Sequence, residues 1–447
     1  MSELMYKKTN IFENTDNIDK IYDVCDRYID FLNKCKTERT CVNFFKADAQ
    51  KHGFSPLDFN KPLSAGDKFY IVNRNKTIFL GIMGEDIQNQ GIHICAAHID
   101  APRLDLKPQP LYEDESMALL KTHYYGGIKK YQWTALPLAM EGVAITKDGK
   151  TIDFSDSEYT FCIPDLLPHL AADQMQKTLA KGIEGEDLRI ICGTIPLKDA
   201  EDNKIKQAVL KILNDKYGIT ERDLISAEIS FVPKLEATSV GFDNSLVGAY
   251  AHDDRVCAWT AYEALISAKA PKHSVLVCLV DKEEIGSDGT TGMKSEFLEL
   301  VIEKMCEGKN ARLAMYNSKC LSADVNAAYD PVYASVHDKQ NASIMGCGPV
   351  VTKYTGARGK SSTSDASAET MAYFTNLFDA NGVIWQSGLL GKIDQGGGGT
   401  VAKYVANRNI DTVDIGVALV SMHAPFELAS KADIYETIRA FRVFMED

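Results

Sequence analysis

The sequence predicts an α/β fold in which a mainly parallel sheet is sandwiched by helices, with a β-rich domain inserted into it. Two observations support this prediction. Short apolar runs alternate with helical stretches in the first and last parts of the chain, whereas the middle contains short strand-like pieces and polar turns. At 447 residues the chain also exceeds the length that one hydrophobic core usually organises, so two domains are expected.

The predicted strands and helices of the α/β part follow from its apolar pattern. Buried strands are predicted at residues 77–83, 91–97, 274–280 and 414–420. Helices are predicted as one amino-terminal amphipathic helix over residues 15–47 and further helices over 256–268, 295–305 and 366–376. Strands that alternate with helices favour parallel pairing, with helices on both faces of the sheet.

The middle of the chain, residues 107–234, is predicted to be the inserted β-rich domain. Its strand-like pieces lie at residues 143–146, 188–192 and 227–232, and a polar helical stretch covers 201–217. Residues 1–106 and 235–447 are then predicted to form one discontinuous domain around the insertion.

The composition argues against several classes of partner. A net charge of −13 disfavours nucleic acid and anionic membranes, because both bind concentrated lysine and arginine. No run approaches the roughly 18 apolar residues of a membrane helix, and the first residues lack the apolar core of a secretory signal. Eleven cysteines without a CxxC pair are typical of reduced thiols. A cytoplasmic location is therefore expected.

Four apolar runs end at side chains of the kind that bind divalent metals. These are His98 and Asp100 after residues 92–97, Asp281, Glu283 and Glu284 after 275–280, Asp324 after 320–323, and His423 after 414–422. Each one alone is also explained by a surface histidine, a solvated turn or a helix cap. Ligands of open α/β sheets bind beyond the carboxyl ends of the strands, so recurrence at four ends favours one shared crevice. Imidazole and carboxylate without thiolate suit Zn²⁺, Mn²⁺ or Co²⁺.

A fifth segment places Asp253 and Asp254 just before a predicted helix. Helix capping explains such residues and contributes about 1 kcal/mol. The functional alternative is a carboxylate shared by two metal ions, which offsets the repulsion between cations about 3.5–4 Å apart. His252 is a third candidate, and spacing alone leaves all three open.

Several segments together resemble the aspartyl aminopeptidase family of dinuclear zinc peptidases. They are AAHIDAPRLDLKPQP, KTHYYGGIKKYQW, DKEEIGSDGTTG, SADVNAAYDP, GGGGTVAKYVANR and the VSMHAP segment. The resemblance covers most of the chain, and the ordered set is more specific than any one motif.

The resemblance implies a metallopeptidase domain with two divalent ions, zinc or else Mn²⁺ or Co²⁺, and assigns a role to seven residues. His98 and Asp324 hold one ion, Glu284 and His423 the other, Asp253 bridges both, Glu283 is the general base, and Asp100 orients His98. In the implied mechanism the ions lower the pKa of a water molecule, Glu283 takes its proton, and the leaving amine receives that proton later.

The resemblance also implies an assembly and a substrate pocket. The inserted domain is expected to mediate dimerisation, with His169 completing the neighbouring subunit's site, and dimers are expected to build a tetrahedral dodecamer. Peptides are the implied substrates. Lys353 matches a pocket lysine, but Asp330 stands where the family often has histidine, and its charge disfavours an acidic substrate residue by about 1 kcal/mol. At the position of the metal-bridging aspartate, the family usually has the triplet leucine, aspartate and asparagine. This chain has His252, Asp253 and Asp254 there.

Two other functions stay open at this point. One is a related deacylase that acts on N-acyl amino acids with the same metals, and the other is a non-enzymatic protein whose large assembly is its function. Residues Gly396–Gly399 resemble a phosphate-binding loop, but no GK[ST] follows, so a tight turn is favoured over nucleotide binding.

Overall fold

The computed structural model describes residues 4–155, 158–269 and 271–447. Its strands are β1 (Ser55–Pro56), β2 (Lys68–Asn73), β3 (Thr77–Ile82), β4 (Ile92–His98), β5 (Arg103–Asp114), β6 (Met117–Tyr125), β7 (Leu138–Ile145), β8 (Thr151–Asp153), β9 (Arg189–Gly193), β10 (Glu228–Pro233), β11 (Thr238–Val240), β12 (Leu246–Ala249), β13 (Ser274–Val280), β14 (Lys319–Ala323), β15 (Asn326–Ala327), β16 (Val350–Thr352), β17 (Gln386–Ser387), β18 (Asp411–Gly416), β19 (Ala418–Val420) and β20 (Glu427–Ser430). Its helices are α1 (Ile18–Lys34), α2 (Glu38–Lys51), α3 (Ile87–Gln90), α4 (Leu179–Gly182), α5 (Lys204–Tyr217), α6 (His252–Ser267), α7 (Phe297–Cys306), α8 (Ala311–Tyr316), α9 (Ala368–Ala380), α10 (Ala402–Ala406) and α11 (Lys431–Glu446).

The larger of two structural units contains a nine-stranded sheet in the order β1-β2-β3-β13-β4-β14-β18-β16-β17. This unit comprises Met1–Asp100, Ala237–Met422 and Glu427–Asp447. The central strands β13, β4, β14 and β18 are parallel to one another. Every residue of β4 and β13 is buried, as expected for strands covered by helices on both faces. The predicted α/β class with a mainly parallel sheet is confirmed.

The predicted amino-terminal helix over residues 15–47 is two helices in the structure. Helix α1 ends at Lys34, and α2 begins at Glu38 after Thr37. The hydroxyl of Thr37 accepts a hydrogen bond from the backbone N–H of Thr40, whose own side chain bonds back, which forms a capping box. The apolar periodicity continues across this break, so periodicity alone did not reveal it.

The predicted strand over residues 414–420 is also divided. Strand β18 belongs to the nine-stranded sheet, whereas β19 belongs to a five-stranded sheet in the order β11-β12-β20-β19-β15. At the end of β18, a Cβ atom on Gly416 would lie 1.9 Å from the carbonyl oxygen of Asp324. Only glycine permits this close approach, which brings the backbone of Asp324 against the neighbouring strand.

The smaller unit comprises Ala101–Glu236 and His423–Phe426. Its sheet has six strands in the order β8-β7-β10-β5-β6-β9, and every pairing in it is antiparallel. The sequence-based insertion at 107–234 lies within these bounds. In the described ranges of both units, no helix is long and apolar enough to cross a membrane.

Candidate metal centre

Three neighbouring strand ends place the candidate ligands at one edge of the nine-stranded sheet. Strands β13, β4 and β14 are adjacent and parallel, and Val280 at the end of β13 pairs with His98 at the end of β4. Asp324 follows β14 directly, and Glu283 begins a short 3-10 turn just after β13. The carboxyl ends of these strands therefore present His98, Glu283 and Asp324 together, as the crevice rule for open sheets requires.

His98, Asp253 and Asp324 form the tightest group of these residues. One possible ligand atom from each lies within 4.8 Å of those of the other two. The Nε2 atom of His98 is 3.2 Å from Oδ1 of Asp253 and 4.0 Å from Oε2 of Glu283. One imidazole and two carboxylates at this spacing fit a divalent ion such as Zn²⁺.

The electrostatics of this group demand a positive charge. Burial and the nearby charge of Asp254 raise the pKa of Asp324 well above its usual range. Burial and the nearby charge of Asp253 do the same to the pKa of Asp254. Burial opposes a charged imidazole at His98, but hydrogen bonds to Asp100 and Asp253 outweigh it and raise the pKa of His98. Without a cation the cluster therefore retains protons, and a divalent ion would replace them.

The tautomer of His98 is fixed by Asp100. The Nδ1 atom of His98 lies 3.1 Å from the carbonyl oxygen of Asp100 and 3.3 Å from its Oδ1 atom. Both oxygens are acceptors, so Nδ1 carries the proton and donates it. A divalent ion would therefore displace the proton of Nε2, the nitrogen that faces Asp253, and bind its lone pair.

Asp100 also holds the turn that carries the two glutamates. Its Oδ1 atom accepts the backbone N–H of Glu283 and its Oδ2 atom accepts that of Glu284, each at 3.2 Å. The preceding residue, Lys282, has a left-handed backbone with φ of 69°, which is costly for a side chain other than glycine. The carboxylate of Asp100 therefore stabilises a strained turn and sets the direction of both glutamates.

The three candidates for the ligand shared by two metal ions, His252, Asp253 and Asp254, differ sharply in their contacts. Both ring nitrogens of His252 are engaged, Nδ1 by the hydroxyl of Tyr28 at 2.9 Å and Nε2 by the carbonyl of Val247 at 3.0 Å. Burial lowers the pKa of His252 to about 4, so the ring is neutral. Asp254 is fully buried and its Oδ2 atom accepts the backbone N–H of His98 at 3.3 Å. Of the three, Asp253 is the residue that faces Nε2 of His98.

His423 belongs to the smaller unit, and its own backbone is left-handed, with φ of 65°. Its Nδ1 atom lies 2.7 Å from the carbonyl oxygen of Gly127. A carbonyl accepts, so Nδ1 carries the proton and Nε2 has the lone pair. A Cβ atom on Gly127 would lie 3.5 Å from Nδ1, so the glycine allows this contact without crowding.

The predicted substrate-binding residues lie in three separate segments. His169 is exposed in the 3-10 turn Pro168–Leu170 of the smaller unit. Lys353 is exposed and donates to Oδ1 of Asp365 at 3.1 Å and to the carbonyl of Ala366. Asp330 accepts the backbone N–H of Val332 at 2.8 Å.

Sequence reasoning missed two residues that hold the candidate ligands in place. Tyr28 is a buried residue of α1, and its hydroxyl lies within hydrogen-bond distance of Nδ1 of His252. Glu427 is buried at the start of β20, and its Oε2 atom accepts the backbone N–H of Asp253 at 3.0 Å. A glutamate four residues after His423, at the start of an apolar strand, was the one signal for it.

Comparison with known proteins identifies the family. The Aminopeptidase I zinc metalloprotease (M18) family matches residues 31–445, which is nearly the whole chain. This chain belongs to the M18 family. The chain is 44% identical to the probable M18 family aminopeptidase 1 of Clostridium acetobutylicum, and the match covers 100% of both sequences. The expected metalloaminopeptidase activity is thereby confirmed.

Solved structures of M18 proteins share the fold. The crystal structure of the M18 aminopeptidase from Thermotoga maritima matches with a TM-score of 0.95 at 45% identity, over 99% of this chain and 100% of that one. The structure of the S. cerevisiae mApe1 dodecamer matches with a TM-score of 0.77 over 94% of this chain and 96% of that one. At 23% identity this second match shows the fold alone.

Proposed function

We propose that this M18 protein removes amino-terminal residues from peptides with a pair of zinc ions and a glutamate base. The grouping of His98, Asp253 and Asp324 within 4.8 Å is the observation that carries the proposal. When bound, two such ions lower the pKa of a water molecule and polarise the peptide carbonyl. Mn²⁺ and Co²⁺ suit the same ligand types.

In this proposal His98 and Asp324 hold one ion, Glu284 and His423 hold the other, and Asp253 is shared. The protonated Nδ1 atoms of both histidines support the assignment, because each leaves Nε2 as the ligating atom. The backbone of Glu284 is fixed by Asp100, which supports a ligating role for its carboxylate.

Glu283 is the proposed general base. Its carboxylate is partly buried and lies 4.0 Å from Nε2 of His98, at the margin of the ligand group. Adjacent residues of one turn point in different directions, so Glu284 is available as a ligand while Glu283 reaches the attacking water. Glu283 takes the proton from that water and returns it to the leaving amine.

The substitution Glu283→Gln is expected to lower kcat by about 10²–10⁴ while zinc content stays at the wild-type level. The amide has the shape of the carboxylate but accepts no proton. The measurements are kcat on a leucyl anilide and zinc per chain by atomic emission.

Glu296→Gln is the matched control, since Glu296 is an exposed carboxylate at the start of α7 and its loss leaves kcat unchanged. Wild-type kcat in Glu283→Gln would rule out the proposed base. Loss of zinc in that variant would make Glu283 a ligand instead.

We further infer that neutral amino-terminal residues are accepted at least as well as acidic ones. The resemblance places Lys353 and Asp330 in the substrate pocket. The carboxylate of Asp365 accepts hydrogen bonds from Lys353 at 3.1 Å and from Lys360 at 2.8 Å. This carboxylate partly neutralises the positive charge of Lys353, which weakens its attraction for an acidic substrate side chain. The carboxylate of Asp330 adds a negative charge that opposes an acidic side chain.

Asp330→Asn is expected to raise kcat/KM for aspartyl and glutamyl anilides about fivefold relative to the leucyl anilide, since about 1 kcal/mol of repulsion is removed. The panel also contains alanyl, lysyl and N-acetyl-leucyl anilides. Asp411→Asn, at the exposed opposite end of β18, is the control. A wild-type enzyme that strongly prefers aspartyl or glutamyl substrates would contradict the inference, and cleavage of blocked substrates alone would indicate the deacylase.

A homo-oligomer built from dimers through the smaller unit is also proposed, with a tetrahedral dodecamer as its final form. Three apolar residues near His169 are strongly exposed, namely Leu170 at 69%, Met175 at 78% and Leu179 at 68%. Exposed apolar clusters of this kind typically mark protein contacts. The dodecameric yeast relative and the family resemblance support the assembly.

If His169 completes the site of a neighbouring subunit, two inactive variants should restore each other. His169→Ala and Glu283→Gln subunits are co-expressed with different tags and purified as mixed assemblies. Activity well above either parent is expected, because a subunit with intact Glu283 then receives His169 from its neighbour. No recovery in mixed assemblies, or a monomer by light scattering, would contradict the proposal.

A cytoplasmic location is proposed because the cysteines form no disulfide bonds. All eleven are free thiols, and most of them are buried in the core. Free thiols persist in reducing compartments. Recovery of the native protein outside the cytoplasm by cell fractionation would contradict this location.

A further inference from the structure

Glu427 is a buried carboxylate that the proposed reaction does not use. It begins β20 in the larger unit and is 1% exposed. Strand β20 pairs with β12, and Glu427 lies opposite Ala249, where β12 ends. The chain leaving β12 runs directly into the segment that carries Asp253, so the sheet register brings Glu427 beside that segment.

The contact with Asp253 is a direct hydrogen bond. Oε2 of Glu427 accepts the backbone N–H of Asp253 at 3.0 Å. Asp253 has φ of −78° and ψ of 106°, which is not helical, and its N–H lies before the first turn that could satisfy it within α6. A carboxylate acceptor makes this bond stronger than one between neutral groups.

The backbone around Asp253 needs such a contact. Ala251 has a left-handed backbone with φ of 66°, although it is not glycine. A conformation of this kind persists where its surroundings hold it. His252 is held by hydrogen bonds with Tyr28 and Val247, and the next residue, Asp253, is held by the hydrogen bond that its backbone N–H donates to Glu427.

We infer that Glu427 is a positioning residue for the metal centre, which fixes the backbone of Asp253 and adds a negative charge behind it. The inference rests on the proposed role of Asp253 as the shared ligand. With its amide held by Glu427, the side chain of Asp253 is directed at Nε2 of His98, 3.2 Å away. The buried charge of Glu427 favours divalent ions in the adjoining site.

Asp433 provides a matched control for a purely structural carboxylate. It is fully buried in the same unit, and its two carboxylate oxygens accept the backbone N–H groups of Gly346 at 2.8 Å and Gly348 at 2.7 Å. Asp433 thus does for a loop what Glu427 does for Asp253, but its partners are not candidate ligands. Asp433→Asn is expected to change stability without changing zinc affinity.

The test compares zinc affinity in the full-length variants Glu427→Gln, Glu427→Ala and Asp433→Asn. Zinc dissociation constants are measured by competition with a chromophoric chelator, and the visible spectrum of the cobalt-substituted protein reports ligand geometry. Glu427→Gln keeps an acceptor but loses the charge, so about threefold to tenfold weaker zinc binding is expected. Glu427→Ala loses both, and about 10- to 100-fold weaker binding with an altered cobalt spectrum is expected.

Wild-type zinc affinity and cobalt spectrum in Glu427→Gln would overturn the inference, even if Glu427→Ala does not fold. The inference would also be overturned if the Glu427 variants lost stability but kept wild-type zinc affinity, which is the behaviour expected for Asp433→Asn. Asp253→Asn separates this from the proposed function. Unchanged zinc affinity in Asp253→Asn would refute Asp253 as a ligand, whereas weak binding there with normal binding in both Glu427 variants would refute only the role of Glu427.

Discussion

The repulsion among closely spaced carboxylates around His98 is the constraint on which the site depends. Asp253 and Asp324 lie around the imidazole of His98, Asp254 accepts the backbone N–H of the same residue, and burial raises the pKa of Asp254 and of Asp324. Ionised carboxylates this close and this buried are costly unless a cation neutralises them. The fold brings these groups together, and a divalent ion makes the arrangement favourable.

Asp100 connects this electrostatic constraint to the backbone. It lies two residues beyond the end of β4 and accepts hydrogen bonds from the turn that follows β13, the neighbouring parallel strand. The same residue sets the tautomer of His98. One carboxylate therefore couples His98, a candidate ligand on one strand, to Glu283 and Glu284 in the turn after the next strand. The parallel register of β4 and β13 makes this geometry possible, which is why the site belongs to the sheet and not to a single loop.

Much of the fold was predictable because buried parallel strands are continuous apolar runs. The predicted strand at 274–280 coincides with β13, and the other runs identified the strand ends where His98 and Asp324 lie. The division at Thr37 and the change of sheet near Gly416 could not be predicted, because capping and close backbone approach leave the apolar pattern intact. The contact of Glu427 with Asp253 was also hidden, because 174 residues separate its partners and only β-sheet register brings them together.

The most direct test of the metal centre is a crystal structure of the zinc-loaded protein with anomalous data collected at the zinc edge. Two anomalous peaks about 3.5–4 Å apart are expected, with one carboxylate oxygen of Asp253 about 2 Å from each. His98 and Asp324 should contact one peak. A single peak, or two peaks bridged by Asp254 in place of Asp253, would contradict the account.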